Sequence, residues 1–198
     1  MPTEALTARH LLFALAGADL PGWNDFAATV RLWTLPRGAQ VFGPGVAHPF
    51  VYVVRRGLVK LVYLSDKGDE WIKSFVSEGQ FFASLSALAP GGTTGFAAEA
   101  IEDTQLERLD YAEIRRQADS SLPWQRALGQ ALLVYGAQKE ARERELLTLA
   151  PTERYRSLLH RSPGIMGRVL QRDLARYLGV TPVSLSRLRA REKTIDRP

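Results

Sequence analysis

The chain has 198 residues, 45% of them hydrophobic and 24% charged, a globular composition with room for one large domain or two small ones. It has no cysteine, which excludes disulfides, thiolate zinc sites, Cys-ligated iron–sulfur clusters and a cysteine nucleophile. The net charge of +5 is lopsided: residues 1–150 hold 15 Lys+Arg against 17 Asp+Glu, whereas residues 151–198 hold 11 against 4, ten of the eleven being arginine.

No apolar run approaches the ~18 residues of a transmembrane helix. The start Met1-Pro2-Thr3-Glu4 lacks the basic region and cleavage site of a signal peptide, so a cytoplasmic protein is expected, with no membrane partner. The three histidines, His10, His48 and His160, lie far apart and outside any HxH, HExxH or triad context. Metal hydrolysis and cupin-type chemistry need clustered imidazoles, so the expectation is a protein that is not an enzyme and holds no metal.

Residues 4–18 (EALTARHLLFALAGA) read as a helix with Leu11, Leu12 and Leu15 on one face. From Arg31 onward short β-rich runs recur between Gly and Pro residues, over 31–35, 40–42, 51–55, 58–65, 71–76, 96–101 and 105–110. Many short strands at close spacing predict an antiparallel sandwich or jelly roll. Asp66-Lys67-Gly68-Asp69 joins two of these runs as a hairpin turn, with Gly68 supplying positive φ.

After Tyr111 the pattern turns helical. Residues 122–149 form a long stretch carrying Leu128, Leu132, Tyr135, Leu146 and Leu149, with dense charge over 138–145. A long, half-polar helix leaving a β-domain is suited to pack against its own copy; docking on its own sandwich is the other reading. Pro151, with Thr152 as the expected N-cap, ends this helix and opens the basic segment.

Residues 170–191 read LQRDLARYLGVTPVSLSRLRAR. Leu170, Leu174 and Leu178 make one helical face, and Ala175 leaves room for a second helix to cross closely. Gly179 can end the helix in the left-handed conformation. Thr181 then caps a second helix with Pro182 in its first position, Val180 stapling onto Leu185, and Leu185 and Leu188 facing the first helix. Two short helices around a tight Gly turn make a helix-turn-helix. Its groove-facing candidates are Pro182, Val183, Ser184, Ser186, Arg187 and Arg191, joined by Thr181 and by Gln171 and Arg172 at the start of the first helix. An arginine-rich segment becomes a candidate for nucleic acid when a reading motif lies within it, as here.

The order of β-sandwich, long helix and helix-turn-helix resembles the Crp/Fnr superfamily of bacterial transcription regulators. The residues that carry the resemblance are RRGLVKLVYLSDKGDEWIKSFVSEGQFF in the sandwich, LAPTERY at the hinge and DLARYLGVTPVSLSRLRAR in the reader. It implies an α+β architecture: residues 1–120 an effector-sensing, cyclic-nucleotide-binding-like jelly roll with flanking helices, 121–150 a dimerisation helix, and 151–198 an all-α helix-turn-helix domain. It further implies a homodimer on a two-fold symmetric, double-stranded DNA operator, a small-molecule effector, and RNA polymerase as a further partner. A haem-based gas-sensing regulator, and a ligand-binding β-roll acting through protein partners, are the alternatives.

Departures from the family pattern bear on the effector. Cyclic-AMP-binding members carry Gly-Glu-Leu after GQFF, the Glu holding the ribose, and an Arg further on that holds the cyclic phosphate. Here the triplet is Ala83-Ser84-Leu85, following Phe82, and Thr94 stands at the Arg position. The helix positions that meet the adenine fall on Lys139 and Glu140. A buried phosphate needs a charged fork or a nest of amides, so cyclic AMP is not the expected effector. Haem would need an axial ligand such as His48 or His10. With the chain given ending seven residues past Arg191, little or no β-wing is expected.

Overall fold

The computed structural model describes residues 7–195. Helix α1 (Ala8–Ala16) lies inside the stretch expected to be helical, of which residues 4–6 fall outside the described residues. A short helix that the sequence reading passed over, α2 (Trp23–Thr29), sets Phe26 against Trp124, ring centroids 4.7 Å apart. The Trp124 indole N–H donates to the Pro21 carbonyl at 2.9 Å, which satisfies the polar end of a fully buried ring.

The β-rich region folds as β1 (Arg31–Leu35), β2 (Gln40–Phe42), β3 (Phe50–Arg56), β4 (Val59–Leu64), β5 (Glu70–Val76), β6 (Phe81–Phe82), the one-turn helix α3 (Leu85–Leu88), β7 (Ala97–Ala100) and β8 (Thr104–Asp110). Two four-stranded sheets, ordered β1-β8-β3-β6 and β2-β7-β4-β5, pair antiparallel throughout, the expected jelly roll. Only β6 went unread, because two residues are too few to show an alternation. Leu35, Tyr52, Val54 and Leu106 of one sheet meet Val59, Leu61, Ala98 and Ala100 of the other. The rings of Phe42, Tyr52, Phe82 and Phe96 belong to the same core. The β4–β5 turn has the expected geometry, with Gly68 at φ 83° and its N–H donating to the Ser65 carbonyl at 2.9 Å. The ladder between these strands slips, Leu61 pairing with Ser74 and Val62 with Ile72. Lys73 is the extra residue, and a bulge of this kind re-aims a side chain.

Helices α4 (Tyr111–Ser120) and α5 (Leu122–Thr148) follow. The first turns of α5 bury Trp124 and Ala127 against α1, α2 and α4, while further along Leu133 is 65% and Leu147 76% exposed. Helix α6 (Pro151–Arg161) begins at Pro151, but its cap is Ala150 rather than Thr152: the Glu153 carboxylate accepts from the Ala150 N–H at 2.7 Å. Helices α7 (Gln171–Leu178) and α8 (Pro182–Ile195) complete the chain.

The α7–α8 core is Leu174, Leu178 and Leu185, with Tyr155 and Leu158 of α6. Leu170 does not join it. As the N-cap of α7 it sits outside the helical turn, 43% exposed. This core continues into Leu58, Val62, Ile72 and Phe75 of the β-roll, so the helix-turn-helix and the sheet share one apolar cluster. The expectation of little or no wing concerns residues 192–198: α8 continues through Ile195, and residues 196–198 lie outside the described residues.

Candidate nucleic-acid interface and sensor pocket

The turn between α7 and α8 is built as its residues dictate. Gly179 takes φ 67°, where a side chain would be strained, and its N–H and that of Val180 donate to the carbonyls of Arg176 and Ala175 at 3.3 and 3.0 Å. Thr181 caps α8: its hydroxyl accepts from the Ser184 N–H at 3.1 Å and donates to the Ser184 hydroxyl at 3.0 Å. Thr181 and Ser184 are thus tied to each other in the cap. All nine sequence-predicted DNA-binding residues are exposed, Gln171 and Arg172 on the first turn of α7, Thr181 in the turn, and Pro182, Val183, Ser184, Ser186, Arg187 and Arg191 along α8.

The arginines of the basic segment divide into two groups, a division that charge counting missed. Arg168 reaches Glu78 at 2.8 Å and Glu102 at 3.2 Å, both in the β-roll. Arg176 pairs with Glu70, and Arg161 holds Glu145 of α5 at 2.7 Å. These cations fasten the C-terminal helices to the rest of the chain. Arg187 and Arg191 have no ion-pair partner among the described residues, and Arg172 is 66% exposed, with only Asp173 near it at 3.6 Å. Arg172, Arg187 and Arg191 are thus exposed on α7 and α8.

In the β-roll, the residues expected to face an effector differ in burial and bonding. Phe82 and Ala83 are buried, and Ser84 and Thr94 are 1% and 3% exposed. Their hydroxyls are spent locally: Thr94 donates to the Gly43 carbonyl at 2.6 Å and accepts from the Val46 N–H at 3.1 Å, while Ser84 and Ser86 share a 3.1 Å bond. Tyr52 and Phe82 stack at 5.1 Å nearby, and the Tyr52 hydroxyl bonds to His48 Nε2 at 2.8 Å. Burial holds the His48 imidazole below its ordinary value, and the Arg108 charge adds to this. Ala83 and Leu85 line an apolar cavity between the sheet, α1 and α5. Lys139 of α5 lies over the Tyr135 ring, and Glu140 beside it is exposed. Sequence reasoning missed Lys73 and placed Tyr135 only on the long helix; the two meet here, Lys73 standing at the β4–β5 bulge.

Among the described residues no group of histidines and carboxylates could hold a metal ion, and no helix is long and apolar enough to cross a membrane.

Residues 32–121 match the family model of the cyclic nucleotide-binding domain. A search of curated proteins finds none that matches the chain. Among solved structures, FixK2 from Bradyrhizobium japonicum superposes with a TM-score of 0.74 at 23% identity, over 83% of this chain and 85% of that one. CLP, the c-di-GMP-responsive global regulator of Xanthomonas campestris, gives 0.68 at 19% identity, over 89% and 92%. The sensor domain of the transcriptional regulator DNR from Pseudomonas aeruginosa gives 0.56 at 26% identity, over 72% and 91%. Residues 32–121 are thus similar to a cyclic nucleotide-binding domain, and the chain has the fold of FixK2 and CLP, the Crp/Fnr fold.

Proposed function

We propose that the chain is a homodimeric DNA-binding transcription regulator that reads a two-fold symmetric operator with α8, under the control of a small-molecule effector other than cyclic AMP. The observation that carries the DNA-binding reading is the division of the arginines. Arg168, Arg176 and Arg161 are consumed in ion pairs, whereas Arg187 and Arg191 stand exposed and unpaired on the outer face of a correctly capped second helix. An arginine so presented offers guanine the planar fork that a major groove accepts.

The effector reading rests on the cassette after β6. The Thr94 hydroxyl and that of Ser84 are already bonded within the protein. Four aromatic rings occupy the interior beneath them. These features support an effector that is not held as a cyclic phosphate in that cassette. His48 bonds the Tyr52 hydroxyl through Nε2, which supports a reading without haem at that ring. CLP is a c-di-GMP-responsive regulator, so c-di-GMP belongs in the same titration as cyclic AMP. The exposed leucines along α5 support the dimer, because a second copy would bury what one copy leaves in water.

The test is selection of duplexes from a random pool on the full-length protein, followed by fluorescence anisotropy of the selected duplex and a scrambled one at two salt concentrations. A palindromic consensus bound well above the scrambled sequence is expected. Equal binding to both at every salt concentration removes the reading.

A further inference from the structure

Sixteen side chains line a largely apolar, partly open cavity of about 60 Å³, including Leu12 of α1, Val53 of β3, Leu85 and Leu88 of α3, and Leu132 and Tyr135 of α5. Tyr135 is where this cavity ends and a charged cluster begins. Its hydroxyl accepts from Lys73 Nζ at 3.3 Å, and its ring lies 5.5 Å from the Lys73 ammonium and 5.6 Å from that of Lys139. Lys73 also sits 4.3 Å from the Phe96 ring, which Tyr63 meets edge-on at 6.1 Å. Neither lysine has a carboxylate within ion-pair distance among the described residues. Two ammonium groups held together beside aromatic faces, half-buried and without an acid, repel each other, and a bound anion would relieve the repulsion.

We infer that this place takes a small apolar monoanion, a carboxylic acid whose hydrocarbon body enters the cavity and whose carboxylate lies between Lys73 and Lys139. The inference rests on the reading of the β-roll as a sensor and names the class of its ligand. At ~10–15 Å³ for each water-sized group, the cavity holds a body of about five heavy atoms. An apolar cavity alone would take a neutral hydrocarbon, and the lysines alone would take any anion. The combination selects for both properties. Because Leu132 and Tyr135 belong to α5, the ligand would touch the helix on which the proposed dimer depends.

The pH dependence follows from the same groups. Burial pulls the Lys73 ammonium down to about 7, and the neighbouring Lys139 adds to this. The groups facing it are Lys139 and Tyr135 from α5, Phe96 from the segment before β7 and, through Phe96, Tyr63 from β4. A carboxylate arriving beside Lys73 favours its charged form, so affinity falls as pH rises above about 7, and binding at higher pH draws a proton from solution.

The probes are hexanoate, 1-hexanol (the same body without charge) and acetate (the charge without the body), measured by thermal shift and by calorimetry in two buffers of different ionisation enthalpy. The expected result has three parts. Hexanoate stabilises the protein at concentrations where acetate and hexanol do not; binding at pH 8 takes up close to one proton; and Lys73→Met weakens hexanoate about tenfold or more and removes the uptake, one pKa unit of lost interaction being a tenfold change. Ala131→Leu, which adds bulk to the cavity wall and spares both lysines, keeps the fold and also abolishes hexanoate binding. Equal effects of hexanoate and hexanol, no effect of any probe, or hexanoate binding unchanged in Lys73→Met would each overturn the inference. Duplex binding is measured on the same protein without hexanoate. Failure of the ligand with DNA binding intact therefore overturns the sensor ligand alone.

Discussion

Lys60 Nζ on β4 lies 3.8 Å from Asp173 Oδ2 on α7, and both side chains are almost wholly enclosed where the helix-turn-helix meets the β-roll. Glu99 on β7 adds a second carboxylate 3.3 Å from the same ammonium. Asp173 is the one acid of α7, three residues after Leu170, in a segment otherwise rich in arginine. Its place is explained by the sheet it faces and not by DNA.

Breaking this pair should be costly. Removing one partner of a buried ion pair typically costs about 3–5 kcal/mol when nothing else compensates the charge left behind, and replacing both by apolar groups is often near neutral. Here Glu99 still faces Lys60 and Arg176 still faces Asp173, so the loss falls below that range. Asp173→Ala and Lys60→Met should each lower the urea midpoint, and the double variant Lys60→Met/Asp173→Leu should recover most of the loss. Additive losses in the double variant would show that the two charges do not depend on each other.

The reading face gives a sharper contrast. Arg187→Ala should relax preference at one base pair in each half-site by about 1–3 kcal/mol, while Arg172→Ala should weaken all duplexes alike and reduce the salt slope by about one. Both variants should melt as the wild type does, since both side chains are exposed. Titration against the selected duplex, its single-base variants and a random duplex separates the two behaviours. Uniform loss in Arg187→Ala would place the reading contact elsewhere on α8.

Acid should loosen the joints between the parts. Burial raises the Glu145 carboxyl, but the Arg161 and Ser157 hydrogen bonds and the charges of Arg161 and Arg142 outweigh it and hold the group below its ordinary value of 4.5. Burial likewise raises Glu78, and hydrogen bonds from Arg168 and from the Gly57 N–H bring it below the same value. A carboxyl with a depressed folded pKa contributes stability that is present above the unfolded value and lost as pH falls through the folded one. Stability should therefore decline below about pH 4.5. Glu145→Gln should be less stable than wild type at pH 7 by about 2–3 kcal/mol, as expected when a hydrogen bond to a charged group is lost, with a flatter acid limb. Urea unfolding at a series of pH values measures both.

The long helix predicts assembly. A dimer of about 44 kDa, twice the 22.0 kDa chain, is expected by sedimentation at micromolar concentration. Leu133, 65% exposed on α5, has no packing role within one chain. Leu133→Glu should shift the equilibrium toward the single chain while leaving its far-ultraviolet circular dichroism unchanged. A wild-type protein that sediments only at 22.0 kDa, with and without duplex, would remove the dimer.

What the amino-acid sequence determines here is what short-range chemistry determines. Gly179, Thr181 and Pro182 specify the turn and the second helix through one positive φ, one hydroxyl and one missing N–H, none of which needs a distant partner. The strand runs are legible for the same reason, their alternation being set within a few residues. Local reading failed where a side chain's direction depended on context. Leu170 carries the right spacing but stands at the cap, and Thr152 has the right chemistry two positions inside the cap that Ala150 and Glu153 supply. The tertiary structure alone decided which arginines face outward. Arg168 and Arg176 look no different in sequence from Arg187, yet they meet Glu78, Glu102 and Glu70 across 66 to 106 residues of chain. It also decided that Lys73, at a one-residue slip in β5, meets Tyr135. Ion pairing and burial are properties of neighbours in space, and no periodicity along the chain encodes which distant carboxylate a given arginine will find.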